Sequence, residues 1–171
     1  MPGKSRSDGP KTFDVVVTRV LDAPVEEAWR AWSDPDYVTR WWGPAGFSSP
    51  SAEMDFRVGG ASLVCMRAPA EYGGGEMYHT WTYTGIYPHE GIEFISNFAD
   101  ETGDHLDPAT AGMPPGVPHD VPHEITFRAS GVERTELTVT ERGYTTEEAR
   151  DLSRAGMEQC LDKMAAIFAE R

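Results

Sequence analysis

The five histidines are the side chains best suited to proton or metal chemistry near neutral pH, and all five lie between Ala68 and Phe127. His79 stands in "EMYHTWTYTGIYP", where Met77, His79, Trp81, Tyr83 and Tyr87 share parity and are expected on one side of a strand. Thr80, Thr82 and Thr84 then fall on the other side. An imidazole among aromatic walls could act as a general acid or base, which makes His79 the single catalytic candidate. The plainer alternative is an inert, hydrogen-bonded histidine at a strand end. His119 and His123 have the i, i+4 spacing of metal ligands on a helix, but Pro122 within "HDVPH" excludes a regular helix there. No metal and no other cofactor is expected. Cys65 and Cys160 lie in separate segments and read as buried free thiols rather than a bridge. No serine or cysteine has a base at an activating spacing, and "EYGGGE" lacks the Lys-Ser/Thr of a phosphate loop.

These residues need a frame, and the chain supplies one in order. A length of 171 residues with 39% apolar and 11% aromatic composition points to one soluble domain able to bury a core. "FDVVVTRVL" is β-branched and reads as a strand, although both of its faces are apolar. "DAPVEEAWRAW" follows as a short helix with Val25, Ala28, Trp29 and Trp32 on one face. Asp34 then caps a second helix opened by Pro35. In that helix Tyr37 pairs with Trp41 and Val38 with Trp42, two adjacent stripes that cannot both face one core. "GPAG" ends it. "SAEMDFRVGGASLVCMR" reads as a hairpin breaking at Gly59-Gly60, and four further strands complete a meander of roughly seven. In it Ile92, Phe94, Ser96 and Phe98, then Ile125 and Phe127, then Leu137 and Val139 take the inner positions. Glu53, Asp55 and Glu93 are expected to point outward. Residues Ala99 to Pro122 form a long proline-rich loop. The last segment is a helix with a capping box at Thr145 and Glu148 and an apolar stripe of Met157, Leu161, Met164 and Phe168. Gly156 interrupts it, which a close backbone approach would explain.

The formal charge of -13 is concentrated: from Ala68 to Phe127 there are ten Asp and Glu residues and no Lys or Arg. Nucleic acid and anionic membrane surfaces are repelled by such a face. A solvated acidic surface accounts for it, and a docking face for a basic protein partner is the alternative. No apolar run reaches the ~20 residues of a membrane span, and "MPGKSRSDGPK" has no signal-peptide core. Residues 1–12 are expected as a disordered tail, residues 13–171 as one domain, and the location as cytoplasmic.

The wording of "LDAPVEEAWRAWSDPDYVTRWWGP", "MDFRVGGASLVCM", "TWTYTGIYPHEGIEFISNFADETG" and "RTELTVTERGYTTEEARDLSRAGMEQCLDKMAAIF" resembles the activator of heat-shock protein 90 ATPase homologue-like family of the START-like, or SRPBCC, superfamily. The resemblance implies an α+β helix-grip (Bet v-like) fold. In it a curved antiparallel sheet of six to seven strands wraps around a long C-terminal helix, with two short helices after the first strand and a cavity between sheet and helix. One of the paired tryptophans is then expected in the core and the other at the cavity mouth. Members often carry Trp where Met157 stands, which implies an altered or enlarged cavity here.

The leading expectation is a binder of a small apolar or aromatic molecule. The lining candidates are Trp41, Trp42 and Phe47 after the second helix, and Met54 and Met66 from the first hairpin. Met77, Trp81, Tyr83 and Phe94 join them from the next two strands, and Met157, Cys160, Leu161 and Met164 from the last helix. A polyketide cyclase-like or hydrolase enzyme using His79 is one alternative. A co-chaperone or stress-response module that uses the acidic region is another.

Overall fold

The computed structural model describes residues 11–169; the tail expected over residues 1–12 lies, apart from Lys11 and Thr12, outside them. The chain runs β1 (Phe13–Leu21), α1 (Val25–Ser33), α2 (Pro35–Trp41), β2 (Ser48–Glu53), β3 (Ala61–Arg67), a 3-10 turn (Ala70–Tyr72), β4 (Glu76–Tyr87), β5 (Gly91–Ala99), β6 (Val121–Ala129), β7 (Thr135–Tyr144) and α3 (Glu147–Ala169). Among the described residues, seven strands form one sheet in the order β1-β7-β6-β5-β4-β3-β2, each pair antiparallel. β1 closes on β7 and thereby brings α3, which follows β7, against the inner face. This is the helix-grip architecture.

Parity within β1 is settled by packing. Val15, Val17 and Leu21 are buried, whereas Val16 and Val20 are about half exposed at 48% and 47%. Arg19 reaches α3, donating to the Glu158 carbonyl at 3.2 Å and to Asp162 Oδ1 at 2.6 Å.

Several local expectations change. Gly85 follows a β-bulge in β4, where the pairing slips between Tyr83↔Phe94 and Gly85↔Glu93. The extra residue reverses side-chain direction, so Ile86 pairs with Ile92 and Tyr87 leaves the face of Trp81 for solvent. β2 ends at Glu53 rather than running to the Gly59-Gly60 turn. Residues 54–60 form a separate bend because Gly60 packs on the Asp55 carbonyl with no room for a Cβ. The α3 cap lies one residue later than expected: Thr146 Oγ1 accepts from Ala149 N at 3.0 Å. Finally, no atom lies within 4 Å of a Cβ built on Gly156, so close backbone approach does not explain that glycine.

The two-helix segment fills one end of the sheet. Asp34 caps α2 by accepting from Asp36 N at 2.9 Å. Trp41 is fully buried with its ring 4.6 Å from Trp32 and stacked on Trp81 at 6.3 Å, and its Nε1 donates to the Ala31 carbonyl at 2.7 Å. Trp42 has left the helix, its ψ of 135° being extended. The helical stripe pairing Val38 with Trp42 therefore does not form, and the backbone change turns the second ring edge-on to Trp81 at 5.1 Å. Trp29 packs on Phe56 and Phe127 beneath α1. The C-terminal half of α3 completes this core with the buried Leu161, Met164 and Phe168.

Trp41→Ala should destabilise the domain by ~3–5 kcal/mol in urea unfolding, and Trp41→Phe by less, since it keeps ring packing while losing the bond to Ala31. Thr146→Ala should cost ~1 kcal/mol by the same measurement through loss of the α3 cap.

Candidate functional site

The other end of the sheet is not filled. A cavity of about 420 Å³ lies between the inner face of β3–β7 and the N-terminal half of α3. Met66, Met77, His79, Ser96 and Phe98 form its floor on β3–β5, and Val121, His123, Glu141 and Tyr144 continue it on β6 and β7. Ser153, Gly156, Met157 and Cys160 descend from α3 at helical spacing. Trp42, Pro44 and Phe47 make one rim, and Met113 and Val117, from the loop between β5 and β6, the opposite one.

The rim containing Trp42 is fastened to the helix. Lys163 Nζ donates to the carbonyls of Gly43 and Phe47 at 2.9 and 3.1 Å, and Ala45 N donates to Gln159 Oε1 at 2.9 Å. Burial lowers the Lys163 pKa; the two carbonyls give its ammonium partners in place of water. The opposite rim is tied down by Thr145 N, which donates to the Gly116 carbonyl at 2.9 Å, and by Thr146 Oγ1, 3.3 Å from the Pro115 carbonyl.

Of the residues expected to line a cavity, Trp42, Phe47, Met66, Met77, His79, Met157 and Cys160 do so. Trp41, Met54, Trp81, Tyr83, Phe94, Leu161 and Met164 do not, because they sit at the filled end or beside it. Trp81 and Phe94 stack at 5.1 Å in the core, and Tyr83 meets Phe56 at 5.0 Å and exchanges a hydrogen bond with Ser62 at 2.8 Å. Burial pushes the Tyr83 phenol up to about 12. Met54 is half-buried against the core, and Leu161 and Met164 are fully buried within it.

His79 faces the cavity between Phe98, at 4.6 Å, and Trp42, which meets it edge-to-face at 5.4 Å. Its Nδ1 and the neighbouring Trp42 Nε1 are both buried without a hydrogen-bond partner. Loss of solvation, with a smaller contribution from His123, lowers the His79 pKa to about 3. The ring is therefore neutral at pH 7 and a weak base. Burial also pushes the Cys160 thiol up to about 12, far from a reactive thiolate.

The polar end of the cavity lies one strand further, in Glu141, Tyr144 and Ser153, which are not singled out from the sequence, and in His123, which is considered there only as a metal ligand. Glu141, 2% exposed, is the direct cross-strand partner of His123. Its Oε1 accepts from Tyr144 Oη and from Ser153 Oγ, both at 2.6 Å, and the two hydroxyls lie 2.8 Å apart. Burial and the adjacent carboxylate raise the Tyr144 pKa, so the phenol keeps its proton and remains a donor. His123 Nδ1 is 2.9 Å from the Val121 carbonyl. A carbonyl only accepts, so Nδ1 carries the proton, and Nε2 is left 3.8 Å from Glu141 Oε2. The ring also stacks on Phe94 at 4.8 Å. The sequence did hold a signal: Glu141 continues the inward parity of Leu137 and Val139, and Ser153 lies one turn before Met157 on the α3 stripe. His119 does not join this group; its Nδ1 is 2.7 Å from Asp120 on the exposed loop.

The site thus combines a long apolar wall with one buried carboxylate, three hydroxyls and two imidazoles. No helix among the described residues is long and apolar enough to cross a membrane.

Solved structures share this frame. A protein of Chromobacterium violaceum is 28% identical, with a TM-score of 0.73 over 91% of this chain and 96% of its own. One from Arthrobacter aurescens is 26% identical, with a TM-score of 0.72 over 94% and 87%. The AHSA1 protein of Silicibacter pomeroyi, at 19% identity, superposes with a TM-score of 0.73 over 92% and 98%. No curated protein matches the chain. The family model "Activator of Hsp90 ATPase homolog 1-like protein" matches residues 22–169. With its seven-stranded sheet gripping α3, the chain belongs to that family and has the START-like fold.

Proposed function

We propose that this protein binds a small, mostly apolar organic molecule in the hollow between β3–β7 and the first half of α3. The observation that carries this reading is the hollow itself, in the size range of small-molecule pockets, ~300–1,000 Å³. Gly156 supports it. A glycine inside a helix costs ~1 kcal/mol against alanine, and here open space faces it. Any side chain at that position would take up cavity volume. The methionines Met66, Met77, Met113 and Met157 form adaptable walls that tolerate guests of different shape.

The catalytic alternative has less support, because a neutral His79 with a pKa near 3 is poorly matched to proton transfer at pH 7. Part of the acidic stretch has a structural role as well, since Met113 and Val117 in its loop face the hollow.

The neutral fluorophore N-phenyl-1-naphthylamine should bind saturably with a rise in emission and should raise the melting temperature. Gly156→Leu should weaken that binding by at least about tenfold while making the free protein more stable by ~1 kcal/mol. Absence of saturable binding to the unaltered protein, or full binding to the leucine variant, would overturn the reading.

A further inference from the structure

The apolar-ligand reading leaves open which head group the polar end accepts, and the geometry narrows it. Among the described residues lining the cavity there is no Lys or Arg, and the one carboxylate is Glu141. Cations nearby are held elsewhere. Arg142 points to the other face of β7, towards Asp14 and Glu124, at 3.5 and 3.3 Å, and Lys163 is bonded to the carbonyls of Gly43 and Phe47. Glu141 Oε1 already accepts from two hydroxyls, whereas Oε2 faces His123 Nε2 across 3.8 Å.

That separation is too long for a direct hydrogen bond. In the neutral ring the His123 proton sits on Nδ1, and both facing atoms then present lone pairs. A donor between two such acceptors would satisfy both, and a nitrogen ~2.8 Å from each is compatible with the 3.8 Å separation. A hydroxyl has one proton and would satisfy one of the two, leaving its own lone pairs against the other. An ammonium has three donors and no acceptor, and it would also neutralise a carboxylate whose isolation in an apolar cavity is costly. The surroundings favour the same sign. The loop that contributes Met113 and Val117 to the wall carries Asp100, Glu101, Asp104, Asp107 and Asp120 and no Lys or Arg.

We propose that the cavity selects an apolar amine, its protonated nitrogen bridging Glu141 Oε2 and His123 Nε2 and its hydrocarbon body lying along the methionine and aromatic wall. This rests on the apolar-ligand reading above. The test compares 4-phenylbutylamine, 4-phenylbutanol and 5-phenylpentanoate, each a phenyl ring and four methylenes with a different head group, by calorimetric titration at pH 7. The amine should bind at least about tenfold tighter than the alcohol, as a charge-assisted hydrogen bond warrants, and the carboxylate should bind weakest. The N,N,N-trimethyl derivative of the amine, charged but without N–H, should bind at least about fivefold more weakly than the amine. Both comparisons use the unaltered protein and need no variant to fold. In Glu141→Gln the preference for amine over alcohol should disappear while alcohol binding persists. An alcohol that binds as tightly as the amine, a trimethyl compound equal to it, or a preference retained in Glu141→Gln would each overturn the amine assignment and leave the apolar pocket standing. If none of the compounds bound, both readings would fall.

Discussion

The position of Trp41 decides where this molecule is solid and where it is hollow. Its ring lies against Trp32 and stacks on Trp81, and its one polar atom is satisfied by the Ala31 carbonyl. Protein interiors pack at crystal-like density and tolerate few voids; this aromatic block meets that requirement at one end of the sheet. Chain continuity then fixes the next residue. With Trp41 committed to the core at the end of α2, Trp42 is carried over the edge of the block, between Trp81 and His79. The adjacent tryptophans are thus a bulkhead, one ring facing filled space and the other facing the cavity.

Within the hollow the dominant energetic fact is a carboxylate far from bulk water. Desolvating such a group costs several kcal/mol unless hydrogen bonds replace the lost solvent. Glu141 recovers part of that from Tyr144 and Ser153, one on its own strand and one on α3. The cluster therefore ties strand β7 to the helix by polar contacts at the level where apolar packing between them is thinnest. A chain selected for stability alone would place leucine at such a site, since well-packed apolar replacements of buried charged groups are often neutral or stabilising.

Much of this fold was legible from pattern. Alternation marked the strands, Asp34-Pro35 separated the two short helices, and the Met157-to-Phe168 stripe gave α3 its buried face. What parity cannot give is position along a strand. Trp81 and His79 share a face of β4, yet two residues, ~6.6 Å of strand, take one into the core and the other into the cavity. The same applies to α3, where Met157 and Cys160 line the hollow while Leu161 and Met164 do not. The polar end escaped notice for another reason. Sequence spacing pairs His123 with His119, whereas its actual neighbour, Glu141, is eighteen positions away and meets it through β6–β7 register. Tyr87 was misplaced because a bulge leaves no compositional mark beyond Gly85.

The attachment of the β5–β6 loop to the start of α3 gives the cavity a particular mechanics. Residues 115 and 116 accept hydrogen bonds from Thr146 and Thr145, and Thr146 in turn caps the helix. Glycine at position 116, in the left-handed region with φ of 106°, lets the loop lie flush on that threonine. Swinging this wall outward therefore strips the helix of its first fastenings, and fraying of the first helical turn loosens the wall. On the ligand-binding reading proposed above, passage of a guest past this wall would be coupled to local melting of that turn, so its residence time would depend on the integrity of the helix start.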